Sequence, residues 1–152
     1  MSGKAEPEFR MATVQDVEAI LEVGDDLFDN VPTRELTTEF LNDERHHMAL
    51  AYVDGRIVGM ASAFHYVHPD KPTSLFVNEV GVVDAFQKQG IGRNLVKYLL
   101  QHGEGLGCQE AWVATESSNT AARRTYVAAG GNEDNEPIVL FTFGDTDQKG
   151  SR

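Results

Sequence analysis

The feature that most constrains this sequence is the segment Gln-Lys-Gln-Gly-Ile-Gly at residues 87–92, which joins a predicted strand to a predicted helix. The first N–H groups of a helix have no partner inside the helix, and they carry the positive end of its dipole. Glycines at such a start allow a phosphate group to approach the backbone closely, and Lys88 and Arg93 could add positive charge. The segment lacks the Lys-Ser/Thr of a P-loop and the third glycine of the dinucleotide fingerprint. Read alone, it indicates either an anion site or a loop whose glycines only allow the backbone to turn.

The rest of the chain predicts one mixed α/β domain. The pair Asp54-Gly55 is a hairpin signal, and Gly130-Gly131 closes the last predicted helix. Hairpins early in the chain favour antiparallel pairing, and the strand–helix–strand units near its end favour a parallel portion. We expect a single domain over residues 1–152, with loose tails at 1–8 and 146–152. Apolar spacing predicts strands at 9–12, 48–53, 56–66, 74–83, 110–115 and 138–143, and helices at 14–28, 32–41, 90–102 and 119–129.

The composition restricts the partners of the protein. Its formal charge is −11, from 13 basic and 24 acidic residues, which argues against nucleic acid and anionic membranes because both need basic patches. An acidic surface suits a cationic substrate, although it can also serve solubility alone. Cys108 is the single cysteine and has no internal disulfide partner. The first residues are polar and lack the apolar stretch of a signal peptide, so we expect a cytoplasmic protein.

The histidines do not predict a metal site. His46 and His47 precede a predicted strand, and His65 and His68 flank the end of its partner, with no Cys or Asp at metal-ligand spacing. We interpret them as surface or loop residues, with His65 or His68 as alternatives for the border of a substrate cleft. We predict no bound metal.

Three segments together resemble the GNAT superfamily of acyl-CoA-dependent N-acyltransferases. They are the strand Asn-Glu-Val-Gly-Val at 78–82, the turn at 87–92, and the pattern Asn119-x-x-Ala122-x-x-Thr125-Tyr126 followed by Gly130-Gly131. The last segment departs from the family pattern at Thr125 and Gly131, where Leu and Phe are usual. The resemblance implies a central mixed, mostly antiparallel sheet of about six or seven strands, splayed at the cofactor strand and flanked by four helices.

The resemblance also implies acetyl-CoA as the cofactor. In this family the pantetheine arm pairs with the strand before the glycine turn, the pyrophosphate lies on the amides of the turn, and residues of the following Asn-to-Tyr helix contact the arm. The residues implied for cofactor binding are Val80, Gly81, Val82, Gln87, Lys88, Gln89, Gly90, Ile91, Gly92, Arg93, Asn119, Ala122 and Tyr126.

The acetyl transfer needs a base, an acid and an oxyanion donor. Glu79 interrupts an otherwise apolar strand and should face a cleft, since burial of an unpaired carboxylate is costly. We predict it as the base, acting directly or through one water, although a glutamate on the solvent face of the strand is the plain alternative. By resemblance, Tyr126 protonates the departing thiolate, and a backbone N–H of Val80 or Val82 stabilises the oxyanion.

The acceptor is predicted from scattered acidic residues. Asp25 and Asp29 are four residues apart near the end of the first predicted helix, where negative charges repel and oppose the helix dipole, so a bound polycation would offset both costs. The pattern resembles the type I aminoglycoside 3-N-acetyltransferases of the gentamicin and fortimicin class, and this implies the 3-amino group of an aminoglycoside, hence antibiotic resistance. The predicted substrate-binding residues are Asp25, Asp26, Asp29, Asn30, Glu79, Glu116 and Asp145.

Other functions remain open at this point. The chain could acetylate another small amine or polyamine, or a protein or peptide amine, or it could be a non-catalytic acyl-CoA sensor. A sensor would need neither Glu79 nor Tyr126. The apolar residues Leu140, Phe141 and Phe143 on the last predicted strand suggest a homodimer, because an edge strand invites pairing.

Overall fold

The computed structural model describes residues 5–144, and five strands form one sheet in this part of the chain. The strands are β1 (Glu8–Met11), β2 (His46–Val53), β3 (Arg56–His68), β4 (Lys71–Val82) and β5 (Glu110–Trp112), and they lie side by side in chain order. The first four pair antiparallel, whereas β5 runs parallel to β4. The predicted fold class, a mixed and mostly antiparallel sheet with four helices, is confirmed. The predicted number of about six or seven strands is wrong for the described residues, which form five.

Four α-helices flank the sheet in the described residues: α1 (Val17–Val23), α2 (Arg34–Asn42), α3 (Ile91–Gly105) and α4 (Thr120–Ala128). The Thr33 hydroxyl caps α2 by accepting a hydrogen bond from the backbone N–H of Leu36 at 3.2 Å. The predicted helix at 14–28 is broken, because Gly24 adopts φ +57° and single 3-10 turns precede and follow α1. No helix among residues 5–144 combines the length and apolar character needed to cross a membrane.

The β2–β3 hairpin forms where Asp54-Gly55 predicted it. Both residues have positive φ, 51° for Asp54 and 77° for Gly55, as a two-residue hairpin turn of the I′ type requires. Val53 pairs with Arg56 directly across the turn. The prediction of this hairpin is confirmed.

The core has one apolar layer on each face of the sheet. On one face, Leu95 and Leu99 of α3 pack on small residues of β2 and β3, which include Ala49 and Ala61. On the other face, Ile20 of α1 packs with a second cluster that includes Leu27, Leu50 and Met60. Gly59 of β3 lets the start of α3 approach the sheet, because a β-carbon there would lie 3.0 Å from Leu95 Cδ1 and 3.1 Å from Ile91 Cγ2.

The predicted final strand at residues 138–143 is wrong. The structure has no regular element there, and the apolar side chains from Ile138 to Phe143 are at least 75 % exposed. A strand needs a partner edge to pair its backbone groups, and no described strand pairs with this segment. The predicted fifth strand at 110–115 is also shorter, since β5 ends at Trp112. The homodimer expected through the last strand stays a prediction.

Three histidines form a hydrogen-bonded chain between the sheet and α3. His47 Nε2 lies 2.8 Å from His65 Nδ1, and His102 Nε2 lies 3.2 Å from His47 Nδ1. His47 is only 8 % exposed, so the prediction that it is a surface or loop residue is wrong. Burial, followed by the charges of His102 and His65, lowers the pKa of His47 to about 4. The His47 imidazole is therefore neutral at neutral pH.

From the buried His47 we predict that the free energy of unfolding of the protein falls in mild acid. A histidine whose pKa is about 4 when folded and about 6.5 when unfolded takes up its proton first in the unfolded chain. The contribution of neutral His47 to the free energy of unfolding is therefore complete above pH 6.5. It is lost as the pH falls towards 4, and the loss is roughly 2 kcal/mol at pH 5. We expect the Tm of the wild type to fall between pH 7.5 and pH 5 by about 5 °C more than that of His47→Gln. His68→Gln, at an exposed histidine, is the matched control. Equal shifts in the wild type and His47→Gln would contradict the prediction.

Candidate active site

The sheet opens between β4 and β5. Along one edge of β4, β3 pairs with most of the strand, from Lys71 to Val82. On the opposite edge, β5 pairs only with the segment from Ser74 to Phe76. No other described strand pairs with this edge, so residues 77–82 present their backbone groups to the opening. An extended ligand with amide groups could pair with them as a strand would.

The glycine turn lies where this open edge ends. A 3-10 turn at Asp84–Phe86 leads through Gln87 to α3, whose cap residue Gly90 has φ +83°. The Gln87 side-chain amide donates to the Val82 carbonyl at 3.0 Å and stabilises the turn. The first helical hydrogen bond runs from the N–H of Asn94 to the carbonyl of Gly90. The N–H groups at 91–93 have no carbonyl one turn earlier in the helix, as an anion site requires.

Lys88 has an unusual backbone conformation in this turn. Its φ is 63°, a left-handed value that is uncommon for residues other than glycine and costs of order 1–3 kcal/mol. Such strain is concentrated at ligand-binding segments. The conformation and the exposed position of Lys88 both fit a turn that holds a phosphate.

Gly92 is the point where α3, α4 and β4 meet. A β-carbon there would lie 3.6 Å from Thr125 Cγ2, 3.8 Å from Val80 Cγ1 and 3.9 Å from Val82 Cγ2. The glycine turn, the open strand edge and the helix that carries Tyr126 are therefore adjacent. This contact brings together all three segments that carry the resemblance in the sequence.

Tyr126 is half-buried on α4. Burial raises the pKa of its phenol above the ordinary value of 10.0, so the hydroxyl keeps its proton at neutral pH and can donate it. α4 ends at Ala128, where Gly130 has φ +106° and the N–H of Gly131 donates to the Tyr126 carbonyl at 2.9 Å.

Asn119 and Ala122 form the start of α4. The Asn119 Oδ1 accepts a hydrogen bond from the N–H of Ala122 at 3.0 Å and caps the helix. This gives Asn119 a structural role that the sequence analysis did not assign. Its predicted contact with the cofactor stays a prediction.

Glu79 faces a cavity of about 390 Å³ on the α1–α2 side of the sheet. Burial, then the charge of Asp29 and a hydrogen bond with it, raise the pKa of Glu79 from 4.5 to about 7. Asp29 and Asn30 line the same cavity. A carboxyl that titrates near neutral pH beside a cleft is well suited to act as a base.

Gly81 allows the Asp29 segment to approach Glu79. A β-carbon on Gly81 would lie 2.9 Å from the backbone oxygen of Leu27, closer than such atoms can stand. Glu79 and Gly81 are two residues apart on β4, so they share one face of the strand. Because Gly81 has no side chain, the segment between α1 and α2 can cross β4 beside Glu79.

The structure does not bring all the predicted substrate residues into this cavity. Asp25 and Asp26 lie exposed on the 3-10 turn after α1 and do not line it. Glu116 is exposed in the loop before α4, and Asp145 lies outside the described residues. The sequence analysis missed the apolar wall of the cavity, which α2 supplies through Leu36 and Phe40. Leu36 is 66 % exposed on a regular helix. This exposure, which indicates the apolar wall, is visible only in the structure.

Within residues 5–144, no group of three or more His, Cys, Asp or Glu side chains is arranged to hold a metal ion. A second cavity of about 580 Å³ lies at the other edge of the sheet, beside Glu8, Arg10 and Tyr52. Its lining contains none of the predicted site residues.

Residues 15–130 match the acetyltransferase (GNAT) family. The chain belongs to the GNAT acetyltransferases and is an acetyl-CoA-dependent N-acetyltransferase. The residues around the turn fit this cofactor, because the first N–H groups of α3 can bind a phosphate and the β4 edge can pair with its amide arm.

Two relatives in sequence are acetyltransferases. The aminoglycoside N(6′)-acetyltransferase type 1 of Salmonella typhimurium is 27 % identical over 101 residues, which cover 62 % of this chain and 69 % of that protein. The mycothiol acetyltransferase of Mycobacteroides abscessus is 42 % identical over 69 residues, which cover 44 % of this chain and only 23 % of that protein.

Solved structures support the fold. An aminoglycoside acetyltransferase from an uncultured soil metagenomic sample, in complex with sisomicin, has a TM-score of 0.80 at 17 % identity, with 91 % of this chain and 95 % of that chain covered. AAC(6′)-Iy, in complex with a bisubstrate analogue that joins CoA to monomethyl-acetylneamine, has a TM-score of 0.77 at 21 % identity, with 92 % and 99 % covered.

Proposed function

We propose that the protein transfers the acetyl group of acetyl-CoA to a primary amine of a small cationic molecule, with an aminoglycoside as the first acceptor to test. The observation that carries this proposal is the half-buried carboxyl of Glu79, which faces a cavity on the strand whose open edge leads into the glycine turn. The acidic net charge and the Salmonella relative support a cationic acceptor.

The donor side is formed by β4 and α3. Backbone groups of residues 77–82 would pair with the pantetheine arm, and the N–H groups at the start of α3 would hold the pyrophosphate, with Lys88 and Arg93 beside it. Acetyl-CoA supplies the acetyl group as an activated thioester. The N–H of Val80 or Val82 donates a hydrogen bond to the carbonyl oxygen and stabilises the negative charge that develops there.

The acceptor side depends on Glu79. An amine is protonated at neutral pH and must lose a proton before it can attack, and Glu79 takes this proton directly or through one water. Asp29 attracts the ammonium and keeps the pKa of Glu79 high enough for it to accept the proton. Tyr126 holds the proton for the departing thiolate, since burial keeps its phenol protonated.

The position of acetylation on an aminoglycoside is a separate part of the proposal. The pattern of acidic residues in the sequence resembles enzymes for the 3-amino group, whereas the Salmonella relative bears the name of a 6′-acetyltransferase. We propose a single acetylated amine and leave both positions to the product analysis.

The test is thiol release from acetyl-CoA with a panel of aminoglycosides, polyamines and short peptides. We expect turnover well above the hydrolysis background with at least one small cationic amine, and NMR of the product to place the acetyl group on one nitrogen. Turnover with peptides alone would favour a protein substrate. Background rates with the whole panel, together with measurable CoA binding, would favour the sensor.

A further inference from the structure

Seven of the twelve residues that line the cavity beside Glu79 are apolar. Asp29, in the segment between α1 and α2, and Glu79, on β4, are the only charged ones. The others are the polar residues Asn30, Thr33 and Thr37. α1, α2 and the segment between them present Ile20, Phe28 and Phe40 to the cavity. A site for a molecule that is cationic along its whole length would present carboxylates on several sides.

The rim of this cavity is also apolar. Val31 and Leu36 line it, and they are 65 % and 66 % exposed. Single exposed apolar residues are ordinary on protein surfaces, but two at the mouth of one cavity form a continuous surface with its wall. Such a surface favours an apolar ligand group, because contact removes both partners from water.

Aromatic rings continue past the cavity along the sheet. Phe40 stacks on His46 at 5.2 Å between ring centroids, and His46, which also pairs with Asp43, lies edge-on to Phe64 at 6.3 Å. Phe64 in turn lies 5.1 Å from Phe76. A row of rings, with one imidazole in it, therefore extends beyond the cavity.

The charged groups of the cavity lie close together. Burial, then the charge of Asp29 and a hydrogen bond with it, raises the pKa of Glu79 to about 7, and the cavity lining holds no other charged residue. A second ammonium on the acceptor would lie against the apolar wall and lose its water without gaining a partner.

We propose that this site selects an amphipathic amine, whose one primary ammonium meets Asp29 and Glu79 and whose apolar body lies along the wall formed by Ile20, Phe28, Leu36 and Phe40. The inference rests on the proposed acetyl transfer and names the substrate class of the same site. The cavity volume of about 390 Å³ is at the small end of the range of roughly 300–1,000 Å³ for ligand pockets, which suits an alkyl or aryl group of moderate size.

The test compares hexylamine with 1,6-diaminohexane, which has the same six carbons and carries a second ammonium on the terminal carbon. We expect kcat/KM to be at least about tenfold higher for hexylamine, and to rise roughly threefold to fourfold for each methylene from propylamine to hexylamine. Leu36→Gln should remove most of this rise with chain length.

The control for this substitution is Leu106→Gln, at an exposed leucine that follows α3 and does not line the cavity. It should leave the whole series unchanged. Equal or higher kcat/KM with 1,6-diaminohexane, or a series that does not rise with chain length, would overturn the inference. If polyamines or aminoglycosides are acetylated while hexylamine is not, the inference fails and the proposed function stands. If no amine of either kind is acetylated, both fail.

Discussion

Glu79→Gln is expected to lower kcat/KM by roughly 10²–10⁴, the range for loss of a general base. The wild-type rate should rise with pH through an apparent pKa of about 7, because the carboxyl must be ionised to accept a proton and its pKa is raised to that value. The variant should lose this rise. Measurement of kcat/KM from pH 5.5 to pH 9 with the best acceptor shows both effects.

The neighbouring carboxyl provides a second variant that distinguishes the base from a merely acidic pocket. Asp29→Asn removes the negative charge that helps to raise the pKa of Glu79, so the rise in rate should move to lower pH. A pKa that belongs to an interacting pair shifts when one member is neutralised. Loss of substrate attraction alone would raise KM and leave the pH profile in place.

The stability of Glu79→Gln serves as its control. The pKa of Glu79 is raised on folding, so the unfolded chain loses this proton first and the carboxyl costs stability as the pH rises from 4.5 to about 7. The glutamine does not ionise, and we therefore expect its Tm at pH 8 to be equal to or above that of the wild type. A variant that is well folded and keeps its rate within threefold would contradict the role of Glu79.

Tyr126→Phe is expected to lower kcat by roughly ten- to a thousandfold, as the loss of a general acid does. The phenyl ring keeps the packing of α4, while the proton for the departing thiolate is lost. The KM for acetyl-CoA should stay within about twofold. Steady-state kinetics at saturating acceptor measures both quantities.

Tyr98→Phe is the matched control for this substitution. Tyr98 lies on α3 and is 36 % exposed, so removal of its hydroxyl should leave kcat and KM unchanged. An unchanged kcat in Tyr126→Phe would remove this tyrosine from the reaction. A large rise in the KM for acetyl-CoA with the same kcat would instead give it a role in binding.

Local features of the sequence predicted two turns of the fold. Gly90 has the positive φ that begins α3, and Asp54-Gly55 forms the hairpin, because each depends on the conformational preference of one or two residues. The segment 138–143 has the apolar and aromatic composition of a strand but no described partner. Strand formation requires a neighbour, and a single sequence does not say whether one is within reach.

The acceptor side depends on contacts between distant parts of the chain. Asp29 and Glu79 were each predicted as site residues, but the raised pKa of Glu79 depends on burial and on the approach of Asp29 from fifty positions away. The histidine chain is similar, since His47, His65 and His102 belong to three elements. Periodicity places a residue on a face of its own element and leaves open which residue of another element lies opposite.

The two close approaches at glycine differ in how the chain could tolerate their loss. At Gly59 the nearest atoms belong to the side chains of Leu95 and Ile91, so a smaller residue at either position could act as a second-site suppressor of Gly59→Ala. At Gly81 the nearest atom is the main-chain oxygen of Leu27, which every amino acid at position 27 carries. No single replacement at position 27 can make room for a β-carbon on Gly81. The distance between β4 and the segment that joins α1 to α2 is therefore constrained by the backbone, whichever side chains that segment carries.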